Sequence, residues 1–148
     1  MTLQILNLSS NAISGDLPLL TGSCIILDLS KNQFDGNLSV IVKWGDEIEY
    51  IDVSHNQLTG PIPYLTSQLP SGVQSSMGKS NLKVLKLSGN HFNGSFPDDV
   101  GSLTAIQILD ISANNFSGSF PSTISKLRSL GVLDISQNQF SEIGRAHV

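Results

Sequence analysis

Leu109-Asp110-Ile111-Ser112-Ala113-Asn114-Asn115-Phe116-Ser117-Gly118 is one copy of a phrase that this 148-residue chain keeps repeating. Working outward, Leu27-Asp28-Leu29-Ser30-Lys31-Asn32-Gln33-Phe34-Asp35-Gly36 is another copy. The phrase closes on Asn11, Asn32, Asn56, Asn90, Asn114 and Asn138, at intervals of 21, 24, 34, 24 and 24 residues. A fixed period of this length is the mark of a solenoid, in which each unit buries its apolar face against the next. Alternation such as Leu109-x-Ile111 reads as a short strand with one face inward. Six such strands would stack about 4.8 Å apart in one parallel sheet.

The ladder asparagine has a physical reason. Past the strand the chain turns inward and leaves buried N–H and C=O groups, each costing about 1–3 kcal/mol if unpaired. A primary amide offers donor and acceptor together, so a column of them can pair with adjacent coils. Gly15, Gly36, Gly60, Gly94 and Gly118 follow four residues later. They are expected where the turn needs positive φ or close approach. Phe34, Phe92, Phe116 and Phe140 share one column and read as stacked core filler. Trp44 is expected to be buried on the convex side, because a large aromatic gains most from burial.

The repeat resembles the leucine-rich-repeat family. Its extension narrows the match: Gly15-Asp16-Leu17-Pro18, Gly60-Pro61-Ile62-Pro63, Gly94-Ser95-Phe96-Pro97 and Gly118-Ser119-Phe120-Pro121. It is similar to the plant-specific subclass found in extracellular regions of receptor-like kinases and receptor-like proteins. The resemblance implies an α/β-type solenoid of about six repeats with little true helix. Its one parallel sheet would line the concave face of a right-handed superhelix, and the extension would form a second short strand. It also implies a cell-surface recognition module with a peptide or protein ligand, a possible co-receptor, and a parent protein anchored in the plasma membrane. The alternative is a receptor-like protein without a kinase, or a secreted inhibitor of a cell-wall-degrading enzyme.

Bulk properties agree with a binding role. Net charge is −4 and no basic run exists, which speaks against nucleic acid. No Gly-rich phosphate loop, kinase motif or nucleophile–His–acid arrangement occurs, so no catalytic residue, cofactor site or metal site is assigned. His55 and His91 lack partners at ligand spacing and read as exposed turn residues. Ser9, Ser30, Ser54, Ser88, Ser112 and Ser136 form a repeat column rather than nucleophiles.

Strand residues flanking the inward pair point to the concave side. One column is Ile5, Ile26, Tyr50, Val84, Ile108 and Val132; the next is Asn7, Asp28, Asp52, Lys86, Asp110 and Asp134. The docking candidates are these two columns from Ile26 and Asp28 onward. Carboxylates about 5 Å apart repel by about 1 kcal/mol at ε near 80, and Lys86 interrupts them. Two readings fit the acidic column: a docking stripe, or a generic repeat feature that solubilises the sheet. Asn-x-Ser sequons stand at Asn7, Asn37, Asn93 and Asn115. The last three fall in turn segments; sugar on Asn7 would crowd the concave face.

Three departures frame the array. The second unit lacks the extension proline and reads Gly36-Asn37-Leu38-Ser39. The 34-residue interval places a surplus in residues 65–80, a Ser/Gly/Pro-rich loop or a partly deleted repeat. The tail Glu142-Ile143-Gly144-Arg145-Ala146-His147-Val148 breaks the pattern where glycine is due. One in-frame coding of it, GAG ATC GGA AGA GCA CAC GTC, matches a common sequencing-library adapter from its second base. The expectation is therefore a leucine-rich-repeat array over 1–141, an uncapped internal fragment of weak intrinsic stability, followed by a non-native tail at 142–148.

Overall fold

The computed structural model describes residues 3–19, 23–65 and 81–144. The expected loop at 65–80 therefore lies outside the described residues apart from Leu65, as does the end of the tail. Six three-residue strands form the main sheet: β1 (Ile5–Asn7), β3 (Ile26–Asp28), β5 (Tyr50–Asp52), β7 (Val84–Lys86), β9 (Ile108–Asp110) and β11 (Val132–Asp134). They stack in that order, all parallel, with the repeat positions in register. β5 and β7 pair directly across the 34-residue interval, so the surplus leaves the sheet unbroken.

A second set of strands does form, but just ahead of the expected place. These are β2 (Ser14–Gly15), β4 (Gln33–Phe34), β6 (Thr59–Gly60), β8 (His91–Gly94), β10 (Asn115–Phe120) and β12 (Gln139–Ile143). They cover the residues between each ladder asparagine and the start of the extension. Of the four proline-bearing extensions, only that of β10 continues the strand past its glycine, through Ser119 and Phe120. β2 pairs with β4, and β6, β8, β10 and β12 form a four-stranded sheet. Backbone bonds Gln57→Phe34 and Thr59→Gly36, both 2.8 Å, link the two sets. The other side of the coil carries short 3₁₀ turns at Ser39–Lys43, Asp98–Ser102 and Ser122–Lys126. α-Helix is absent among the described residues.

The core lies inside the coils, enclosed by the main sheet, the second strands and the 3₁₀ turns, which contribute Ile41 and Val100. Leu27, Leu29, Ile51, Val53, Leu85, Leu87, Leu109 and Ile111 are fully buried, as the strand alternation requires. The phenylalanines stack as expected, Phe92 on Phe116 at 6.2 Å and Phe116 on Phe140 at 6.1 Å between ring centroids. The extension adds a second aromatic row, Phe96 and Phe120, which meets Phe116 and Phe140 edge-on at 5.6 and 5.4 Å. Trp44 is buried, and its indole N–H donates to the Pro18 carbonyl at 2.9 Å, tying the second coil to the first.

The asparagine ladder pairs as its chemistry dictates. Asn56 Nδ2 donates to the carbonyls of Val53 and Ser54 in its own coil and of Leu29 in the preceding one. Its Oδ1 accepts the Phe34 N–H of that same preceding coil. Asn32, Asn90, Asn114 and Asn138 repeat the arrangement. Asn11, in the first coil described, donates to Leu8 and Ser9 within that coil.

The glycine column takes φ between +76° and +92°, the region open to a residue without Cβ. Where Glu142 replaces the glycine, the backbone is not left-handed, and the β10–β12 register shifts so that Ser141 is skipped. That bulge absorbs the lost turn, and β12 runs on to Ile143 by backbone pairing that ignores side-chain identity.

Candidate functional site

The concave sheet carries two side-chain columns; in the charged one Asp52 is buried at 7% exposure, while Asp28, Lys86, Asp110 and Asp134 are half-buried. Ile5, Ile26 and Val132 are exposed; Tyr50, Val84 and Ile108 are half-buried. The stripe is apolar from one end of the sheet to the other. Register pairs Asp28 with Asp52, Lys86 with both Asp52 and Asp110, and Asp110 with Asp134.

Sequence reasoning treated the serine and aspartate columns separately, and the structure joins them. Ser30 N–H and Oγ–H both donate to Asp28 Oδ1, at 3.0 and 2.6 Å. The same pair of bonds ties Ser54 to Asp52, Ser112 to Asp110 and Ser136 to Asp134. Asn7 does the same work for Ser9 with an amide oxygen. Each carboxylate thus fixes the turn after its strand through one oxygen. The signal was present as a constant Asp/Asn-x-Ser spacing, broken only at Lys86-Leu87-Ser88.

Lys86 makes that break chemically distinct. Its ammonium lies 6.0 Å from the Tyr50 ring centroid, within cation–π range, rather than in direct contact with either flanking carboxylate. Burial, then the Asp52 and Asp28 charges and a hydrogen bond with Asp52, push the Tyr50 phenol above its ordinary pKa. The centre of the face therefore combines an aromatic ring, a cation and two acidic neighbours. Beside it, Lys83 pairs with Glu49 at 2.6 Å. At the last coil, the Ser136 hydroxyl and N–H hold the Asp134 carboxyl below its ordinary range.

A second column escaped sequence reasoning. Ser10, Lys31, His55, Ala113 and Gln137, each just before a ladder asparagine, have φ between +53° and +59°. Only Gly89 carries the residue type that would signal this backbone. A side chain there would meet His55 Nδ1 at 2.5 Å, so the exposed imidazole of one coil covers the bare backbone of the next. His91 is exposed as expected. On the second-sheet side, an open groove of about 490 Å³ lies between Ile62, Tyr64, Phe96 and Pro97.

The asparagines separate into two groups. Ladder amides spend Nδ2 on as many as three carbonyls. The sequon asparagines Asn7, Asn37, Asn93 and Asn115 are exposed, and their Nδ2 groups meet no acceptor among the described residues.

A continuous parallel sheet, a buried asparagine ladder and a second strand per coil are now in place, and a family model described as Leucine Rich Repeat matches residues 2–24, 47–69, 81–103 and 105–127. The chain belongs to the leucine-rich-repeat family. It is 57% identical over 54 residues to the LRR receptor-like serine/threonine-protein kinase GHR1 of Arabidopsis thaliana, covering 36% of this chain and 5% of that protein. Receptor-like protein 54 of the same plant is 34% identical over 93 residues, 63% of this chain and 11% of the relative. The chain thus spans a small part of the curated relatives it matches. Among solved structures, the Arabidopsis receptor kinase HAESA, in complex with the peptide hormone IDA and the co-receptor SERK1, superposes with a TM-score of 0.64. That match has 32% identity and covers 93% of this chain and 26% of HAESA.

Proposed function

We propose that this chain is a stretch of the extracellular region of a plant leucine-rich-repeat receptor-like kinase, and that its concave face docks a peptide or protein ligand. The carrying observation is the unbroken apolar column from Ile26 to Val132 beside the charged column from Asp28 to Asp134. A rigid sheet offers such a ligand a row of side-chain contacts at fixed spacing, with little ordering cost on the receptor side. The HAESA complex, which holds a peptide hormone and a co-receptor, supports the same ligand class and the same third partner here. The parent is anchored in the plasma membrane and carries any kinase outside this chain. The likeness to receptor-like protein 54 favours a second reading, a parent that lacks the kinase. The array occupies residues 1–141, with 142–148 a tail of non-native origin; a genomic exon encoding that tail would remove this part of the reading.

The test is peptide capture. The immobilised chain is exposed to a plant apoplastic wash, and retained peptides are identified by mass. A double variant, Asp52→Asn with Asp110→Asn, removes two charges but keeps the oxygen that accepts from Ser54 and Ser112, as Asn7 already does. The expected result is a peptide set held by the wild type and released by the variant. Identical sets on both proteins would sink the concave-face reading.

A further inference from the structure

We propose that Asn93 and Asn115 are one glycan acceptor rather than two: in the folded chain an N-linked oligosaccharide sits on one or the other, never on both. The inference rests on the secreted reading above, since the sugar donor belongs to the secretory route.

Both residues open sequons, Asn93-Gly94-Ser95 and Asn115-Phe116-Ser117. Read along the chain they are 22 residues apart and look independent. The fold removes that independence, because Asn93 on β8 and Asn115 on β10 are register partners. Parallel partners stand about 4.8 Å apart and project from the same face of the sheet. Both are exposed. Their amides are also chemically available, unlike that of Asn90 three residues earlier, whose Nδ2 is buried and donates to Val53, Leu87 and Ser88.

Transfer forms a bond from Asn Nδ2 to the anomeric carbon of a lipid-diphosphate-linked oligosaccharide. It breaks that carbon's bond to the diphosphate, releases the lipid diphosphate and gives one amide proton to solvent. The product is a bulky branched chain rooted at the amide nitrogen. One such chain projects freely from this edge of the coil. Two, rooted a single strand spacing apart, would hold their first sugars at about ring-on-ring distance and make the branched chains beyond them overlap. Relieving that overlap means parting β8 from β10, where Phe116 lies buried against Phe92 and Phe96.

Asn37 supplies an internal control. It is exposed, its Oδ1 accepts the Ser39 N–H at 3.0 Å, and its Nδ2 is left for sugar. It has no sequon asparagine as a register partner.

The experiment secretes the full chain from plant cells behind a leader peptide and counts glycans on tryptic peptides. Residues 87–126 hold Asn93 and Asn115 together, and residues 32–43 hold Asn37. The expected result is one glycan on the 87–126 peptide of the wild type. One glycan should remain in both Asn93→Gln and Asn115→Gln, and none in the double variant. Two glycans on the wild-type peptide would overturn the inference. So would a bare 87–126 peptide beside an occupied Asn37, while leaving the secreted reading intact. A chain bare at Asn37 as well would overturn it too, and because the added leader imposes secretion that outcome would leave the secreted reading untouched.

Discussion

The interior coils and the first coil spell nearly the same phrase but hold it in different physical states. Asn56 is buried and makes four hydrogen bonds, two of them to the coil before it. Asn11 occupies the same repeat position, is exposed, and makes two bonds within its own coil. Leu27 and Leu29 are fully buried, whereas Leu6 and Leu8 are half-buried. The last coil shows the same contrast, with Leu133 at 41% exposure where Leu109 has none. A repeat residue therefore has no fixed energetic value; its neighbours set it.

The largest expected effect sharpens that contrast through the aromatic column. Phe116→Ala opens a hole between Phe92, Phe96 and Phe140 and should cost about 3–5 kcal/mol in urea denaturation. Phe140→Ala, half-buried at the end of the row, should cost clearly less, and equal losses would break the comparison. Next comes the ladder. Asn56→Ala strands buried carbonyls and the Phe34 N–H and should cost about 1–3 kcal/mol. Asn11→Ala should stay within about 0.5 kcal/mol.

How much of this was legible in the sequence divides along the same line. Period, strand positions and the ladder's donor–acceptor logic could be read because each rests on one class of residue at a fixed spacing, and the burial of Trp44 because a large aromatic gains most from burial. The left-handed residues before each ladder asparagine could not, since Ser10, Lys31, His55, Ala113 and Gln137 share no side-chain property. The Asp–Ser bond was readable in principle, as a spacing between two columns rather than within one. The Asn93–Asn115 partnership was not, because second-sheet register is offset from the repeat period.

The smaller effects test the concave columns. Asp110→Asn should be neutral within about 0.5 kcal/mol, because the amide oxygen still accepts from Ser112, while Asp110→Ala should cost about 1 kcal/mol. A loss of equal size in both would show that charge, not the hydrogen bond, stabilises the turn. The smallest is a titration. Ser136 lowers the Asp134 pKa, so this carboxylate's contribution is present above its ordinary range and fades as pH falls through its depressed value. Asp134 is well solvated, so the stability change is slight, but Ser136→Ala should move the midpoint of its carboxyl titration, followed by NMR, to higher pH. An unmoved midpoint would assign the depression to something other than this hydroxyl.

Every inter-coil bond of the ladder asparagines points toward the N-terminus: Asn32 reaches Leu8 and Ile13, Asn56 reaches Leu29 and Phe34, and Asn138 reaches Ile111 and Phe116. The ladder is thus a ratchet. A coil cannot complete its own polar pairing; its successor does so on arrival. For a chain emerging N-terminus first, each newly made coil locks the one already outside, so synthesis and closure run in the same direction. The energetic seam then always lies at the newest coil, and growth of the array never requires an earlier lock to be undone.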